Sequence, residues 1–336
     1  MRSIVFALAA VLALPAAARA QEAANIVHAN HRTIEFLGLS RWTVPMIRDS
    51  LAKYAPNTKI ERDACAAVLR AQLHFADAAQ MMYVPTPPDS GLYVVVALVE
   101  PQDSSRIHYR TMPTETLGGD PALKELTSFI RTNQGPFQEG LSIYHRDGPP
   151  EAIPAYFKED SAGIIRLWAL LTAHRDAASG TAARTTLRED PNMFDRMAAA
   201  AILSNFPEND STWWSLIETT REMDGFARNV SAEVLQSMAL RTHRKVDWGP
   251  VVPAIHAMLD GTSLFMTGQL MSALDRVGVG PELAGPFLRQ GGHAVLMYAA
   301  SHQPDLRTGA LTFLRTISGK DYGSDIDAWK VWIASL

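Results

Sequence analysis

The residues best suited to chemistry are few and scattered along the chain. His28-Ala29-Asn30-His31 sets two imidazoles one helical turn apart, the spacing of a metal site, but no third ligand stands nearby. Glu61, Asp63 and His74 offer an acid and a base, yet Glu61 and Asp63 are two residues apart and do not share a helical face. His108, His145 and Cys65 make a nucleophile arrangement only if the fold gathers them. Cys65 itself lies inside the apolar run Ala64-Cys65-Ala66-Ala67-Val68-Leu69, away from the helix N-terminus or basic neighbour that activates a thiol, and is expected to be buried and inert. Asp325-Ile326-Asp327 has two acids of a calcium loop but neither its glycine nor its terminal glutamate, so Asp325 is expected to cap a helix.

No G-x-S-x-G elbow, no G-x-x-x-x-G-K-[ST] loop and no H-E-x-x-H pair occurs. Gly278-Val279-Gly280-Pro281 has proline where a phosphate loop needs an N–H donor, which makes it a turn. No catalytic, cofactor-binding or metal-binding residue is assigned from these patterns, and no cofactor is expected. Trp213-Trp214 is a different kind of signal. Only one of two adjacent helical residues points squarely inward, so the other is part exposed, as binding tryptophans often are, unless both pack at a helix–helix seam.

Around these residues the chain changes its rule twice. From Asn25 to about Tyr83 the spacing predicts helices: Val44, Ile47, Leu51 and Tyr54 recur at three- and four-residue steps, and Thr58-Lys59-Ile60-Glu61 has the form of a capping box. After the turn cluster Pro85–Gly91, the apolar β-branched run from Leu92 to Val99 predicts a strand covered on both faces. Arg106 to Arg110 alternates as a half-exposed strand would, Asp120-Pro121 opens a helix, and Leu141, Ile143 and His145 suggest a third strand. Arg146-Asp147-Gly148-Pro149-Pro150 reads as a boundary. Beyond about Pro154 amphipathic helices follow one another, broken at Asp190-Pro191, Asp260-Gly261, Gly280-Pro281 and Gln303-Pro304. The expected fold is therefore mainly α, a small α+β module over residues 21–147 followed by a helical array over 154–336. Stacked helix pairs bury each other's apolar faces. An irregular bundle would show similar faces.

The first twenty residues have a short charged start at Arg2, an apolar run from Ile4 to Leu14, and Ala18-Arg19-Ala20 as a cleavage site. They read as a bacterial signal peptide over 1–20, with Gln21 as the mature start and the periplasm or exterior as destination. With one cysteine, no internal disulfide forms and stability must come from burial. No later run is long enough to span a membrane. A net charge of −4, from 31 basic and 35 acidic residues, gives no electrostatic reason to bind nucleic acid.

The alternating helix pairs, with Asp305-Leu306-Arg307 opening the last long helix, resemble HEAT-like (armadillo-type) repeats. The ending Gly319-Lys320-Asp321-Tyr322-Gly323-Ser324-Asp325-Ile326-Asp327-Ala328-Trp329-Lys330-Val331-Trp332 is similar to the G-x-D-[FY]-G-x-D-x-x-A-W-x-x-W tail of exported bacterial HEAT-repeat proteins. In this tail Gly319 suits a helix end and Asp325 a cap, and the two tryptophans one turn apart suit a lid on the last repeat. The resemblance covers about residues 155–336. It implies an α-solenoid that presents a surface to a protein partner: an exported scaffold or protein-binding module without catalysis. The alternative is an enzyme, a hydrolase with its site in the N-terminal module or beside the repeats, for which His108, His145, Cys65 and Glu61 are the candidates.

Overall fold

The computed structural model describes residues 25–29, 31–61, 66–84, 91–114, 121–144, 153–223, 225–242 and 244–336. The expected signal peptide, Asp63, Cys65, the Asp120 cap, His145 and the Pro149-Pro150 boundary lie outside them. The chain is mostly helical with one small four-stranded sheet near its start. It divides into two compact units, the first reaching Ile107 and taking in Leu296–Thr308, the second made of His108–Val295 and Gly309–Leu336.

In the first unit the helical expectation for residues 25–83 is corrected at both ends. Strands β1 (Ile26–Ala29) and β2 (Arg32–Leu37) form an antiparallel hairpin, and β3 (Asp77–Tyr83) pairs antiparallel with β4 (Leu92–Val99). The physical reason is period. Ile34 and Phe36 are buried on one side while Thr33 and Glu35 take the other, a two-residue alternation too short to separate from helical spacing in a sequence window. The strand expected at Leu92–Val99 is present and central, in the order β1-β2-β4-β3, with β2 and β4 parallel. Helices α1 (Val44–Tyr54) and α2 (Ala66–Leu73) cover one face, where Ile34, Phe36, Val94, Val96 and Leu98 meet Val44, Ile47, Leu51 and Leu69. Thr43 caps α1. Glu61 does not complete the expected capping box but pairs with Arg48 at 2.9 Å.

The sheet's other face carries Glu35, Tyr93, Val95 and Ala97 and receives the returning segment around Tyr298 and Ser301. Gly38 (φ +81°) must be glycine, because a Cβ there would stand 2.1 Å from the Leu98 carbonyl oxygen. The loop after it is tied down by Glu100, fully buried at the end of β4. Its carboxylate accepts from the backbone N–H groups of Ser40 (2.8 Å), Arg41 (3.0 Å) and Trp42 (2.8 Å) and from the Ser40 hydroxyl (2.8 Å).

The second unit contains no strand among its described residues. The strand expected over Arg106–Arg110 is corrected: residues 107–114 have no regular structure and run as an extended strap. The strand expected at Leu141–His145 is corrected as well. Gln134–Ser142 is a helix, with Pro136 in its first turn, where a missing N–H costs nothing. It is α4, preceded by α3 (Lys124–Thr132) and followed by α5 (Ser161–Ala173). Helix pairs follow: α6 (Ala177–Glu189) with α7 (Met193–Leu203), α8 (Asp210–Thr220) with α9 (Gly225–Arg241), and α10 (Val252–Asp260) with α11 (Leu264–Arg276). Across the pairs α7 packs on α9 and α9 on α11, while α6 packs on α8 and α8 on α10, which in turn meets the short α12 (Ala284–Leu288). The expected breaks at Asp190-Pro191, Asp260-Gly261 and Gly280-Pro281 fall between helices.

Beyond α13 (His293–Ala299) and α14 (Pro304–Ser318), Gly319 takes the left-handed conformation (φ +65°) and Asp325 caps α15 (Ile326–Ala334) by accepting from the Ala328 N–H at 2.9 Å. Trp329, wholly buried, stands edge-on to Trp332 with centroids 5.7 Å apart and to Tyr322 at 4.8 Å. No helix among the described residues is long and apolar enough to cross a membrane.

Glu100 supplies the first prediction. Burial pushes its carboxyl upward, but the N–H and O–H donors of Ser40, Trp42 and Arg41 outweigh that and hold it below the usual carboxylate range. A lowered folded pKa stabilises above the unfolded value and is lost as pH falls through it. Glu100→Ala is expected to cost about 3 kcal/mol at pH 7 by leaving several donors unmet. Urea titrations of both proteins should show that difference shrinking below pH ~4.5.

Candidate functional site

The second unit is built around a buried charge cluster. Arg196 on α7 and Glu222, after α8, are both fully buried and meet at 3.1 Å. Arg196 Nη1 also donates to the carbonyls of Asp190 (2.9 Å) and Pro191 (3.1 Å) in the α6–α7 turn. The other Glu222 oxygen accepts from Arg110 at 3.2 Å, and Arg110 reaches on to the Leu187 and Arg188 carbonyls. The strap continues backward along the turns. The Arg110 N–H donates to the Arg221 carbonyl (2.9 Å), Arg221 donates to the His108 carbonyl (3.0 Å), and the His108 N–H donates to Thr262 Oγ1 (2.8 Å). One extended segment thus bonds to the α6–α7, α8–α9 and α10–α11 turns in succession.

Three helices of this unit, α7, α9 and α11, each carry phenylalanine at their second position: Phe194, Phe226 and Phe265. The first is covered from within the chain. Helix α3 packs on α7, Arg131 stacks on the Phe194 ring at 5.0 Å, and Thr127 donates to Asp195 at 2.7 Å. As a result α7 is buried on every side from Arg196 to Leu203. The stripe that begins at Phe226 runs through Asn229, Glu233, Gln236 and Leu240, none of them in the core, and α4 packs against this helix. On α11 the matching stripe is Phe265, Gly268, Gln269, Ser272 and Arg276. Burial alone pushes the Glu233 carboxyl up to about 7, with no cation beside it among the described residues.

The first unit holds a second polar cluster. Glu35, buried on β2, accepts at Oε2 from the Ser301 hydroxyl (2.7 Å) and the Tyr93 hydroxyl (3.2 Å). At Oε1 it takes the His302 backbone N–H (2.7 Å) and His302 Nδ1 (3.0 Å). A carboxylate oxygen accepts, so Nδ1 is the donor of this pair, and Nε2 lies on a ring whose side chain is 46% exposed. Burial, reinforced by the Glu35 charge, raises the Tyr93 hydroxyl far above its usual value and keeps it a neutral donor.

Of the residues that the sequence nominated, those among the described residues are not gathered. His28 is on β1 with Nδ1 3.3 Å from Thr33 Oγ1, and His31 occupies the hairpin turn in the left-handed region (φ +62°). His74 sits at the end of α2 with φ +56°, and Glu61 is held by Arg48. His108 contributes backbone groups to the strap while its ring is exposed. Among the described residues no group of three or more His, Cys, Asp or Glu is placed to hold a metal ion. Asp327 pairs with Lys330 rather than with a cation site. Trp213 is buried edge-on to Trp248, and half-buried Trp214 donates to the Asp247 carbonyl at 2.6 Å. A groove of about 440 Å³ at the C-terminal end is lined by Lys320, Tyr322, Asp327, Val331 and Trp332, of which Tyr322 and Trp332 stand edge-on to Trp329.

Sequence reasoning missed Glu35, His302 and Glu233. Glu35 had a signal, a lone acid in an apolar strand, but its partners lie more than 260 residues away. Comparison with protein families, characterised proteins and solved structures finds no match. The geometry alone carries the functional argument.

A carboxyl whose folded pKa is raised binds a proton that the unfolded chain has released. Stability therefore falls as pH rises from about 4.5 to about 7 and is level beyond. Glu233→Gln is expected to remove about 2–3 kcal/mol of this penalty. Thermal melts at pH 5 and pH 8 should show the variant gaining on the parent at the higher pH only.

Proposed function

We propose that this protein is an exported, non-catalytic binding scaffold whose second unit is a HEAT-like α-solenoid. The observation that carries this reading is the strap. A segment that bonds in turn to the turns of three successive helix pairs supports stacking of those pairs in one direction, as in repeats, over a bundle around a single centre. The series α7–α9–α11 and α6–α8–α10, and the tryptophan lid at the end, support it. Such arrays offer a long rigid surface at little ordering cost, which is what a binding scaffold needs. Export follows from the signal-like first twenty residues.

The enzyme reading has one observation in its favour, the part-exposed His302 ring that Glu35 orients. A hydrolase there would use it as a general base toward water. Hydrolysis of p-nitrophenyl acetate that drops to the free-imidazole rate in His302→Gln would support that reading, and an unchanged rate would remove it.

For the scaffold, cross-linking in the native envelope with residue-level mapping is the direct measurement. Cross-links are expected on the exposed stripes of α9 and α11. A partner mapped only to the first unit, or an N-terminal sequence beginning before Gln21, would contradict the corresponding part of the proposal.

A further inference from the structure

We propose that the groove beside α15 binds a neutral saccharide, a function that goes beyond the scaffold reading and does not depend on it. The groove, about 440 Å³, has the size of a small-ligand site and is bordered by α15 and by the turn before it. Its apolar part has no role in the packing of the lid. Trp329, Trp332 and Ile333 make up the buried side of α15, whereas Val331 on the same helix is 71% exposed and borders the groove with Ala328. Beside them Tyr322 is half-buried, and Lys320 Nζ stands over its ring at 6.0 Å, so ring and ammonium open on the same space.

The polar groups around this patch are only half used. Asp325 spends Oδ1 on the Ala328 N–H (2.9 Å) and Asp327 spends Oδ1 on Lys330 (3.0 Å), and each keeps a second oxygen as an acceptor. The Ser335 hydroxyl donates to the Trp332 carbonyl at 2.6 Å and can still accept. Neither the Lys320 ammonium nor Trp332 Nε1–H has an acceptor among the described residues. One opening thus combines spare donors, spare acceptors and an apolar patch. Formal charges of both signs line it, so a ligand with a net charge is repelled by one set or the other. A neutral ring of hydroxyls is not. Each hydroxyl both donates and accepts, two vicinal hydroxyls suit one carboxylate, and the C–H face of the ring can lie on Tyr322 and Val331. A peptide fits less well. It needs a free strand edge or a long helical groove, and the second unit has no strand among its described residues while α15 has nine residues.

The test is calorimetric titration of the full chain with neutral tetrasaccharides: β-1,4-linked glucose, β-1,4-linked N-acetylglucosamine and α-1,4-linked glucose. Tetramers of β-1,4-linked glucosamine and α-1,4-linked galacturonic acid are the charged counterparts. At least one neutral tetramer is expected to bind saturably, about tenfold more tightly than either charged one. Lys320→Met, which removes one charged donor, is expected to weaken that binding about tenfold. Val331→Arg, which fills the groove from an exposed position, is expected to abolish it, and neither variant should shift the melting temperature. Indole and methyl resonances of the bound chain should move within residues 320–335. Saturable binding by none of the neutral tetramers, equal binding by a charged one, indifference to both substitutions, or resonance shifts only elsewhere would overturn the proposal. The cross-linking that tests the scaffold reads a different outcome and is unaffected by any of these.

Discussion

A carboxylate taken out of water must collect donors, and three glutamates of this chain do so across long stretches of sequence. Glu100 gathers the backbone of residues 40–42, Glu35 gathers Ser301 and His302, and Glu222 gathers Arg110 and Arg196. An isolated buried carboxylate would be costly by several kcal/mol, so none of these folds is optional once the strand or helix bearing the glutamate is packed. Each glutamate fixes a segment that has little hydrophobic reason of its own to stay: a loop, a return segment and a strap. Their net worth to stability is small, because burial consumes most of the gain. Their worth to specificity is large, because no alternative register offers the same donors.

The strap shows how that specificity turns into architecture. Helix pairs stacked only by apolar contacts can slide, since leucine and alanine faces discriminate poorly between neighbouring registers. Arg110 and Arg196 meet the two oxygens of one carboxylate, and their remaining N–H groups reach carbonyls of the α6–α7 turn. The spacing between the first two pairs is therefore set by hydrogen-bond lengths rather than by side-chain volume. His108 extends the same control to the third pair through Thr262. This also explains why residues 107–110 form no strand: their backbone groups bond to side chains and helix ends rather than to a ladder.

Legibility in the sequence followed the range of the interactions. The β4 run, the breaks between helices, the Asp325 cap, the left-handed Gly319 and the tryptophan pair were all readable, because each is decided within a few residues by burial, capping or sterics. The β1–β2 hairpin was not, since six residues of alternation fit either period and the sequence joining the two runs lacks glycine. The helix at Gln134–Ser142 was missed because Leu141 and Ile143 alternate at its end, while the apolar partners that decide for helix, on α5, lie further along the chain. Neither the Glu35 cluster nor the assignment of Leu296–Thr308 to the first unit could be read from any window. They are set by contacts between the two ends of the chain.

The same reasoning separates Glu233 from the carboxylates that hold the fold together. Glu35, Glu100 and Glu222 have their acceptors filled, and a filled carboxylate has nothing left to offer a ligand. Glu233 is the opposite case: desolvated, on a stripe that is otherwise part exposed, and without a cation beside it among the described residues. In a fold that elsewhere satisfies buried carboxylates with at least four donors each at Glu35 and Glu100, such a residue is a stability cost, felt once the carboxyl ionises and absent while it holds its proton.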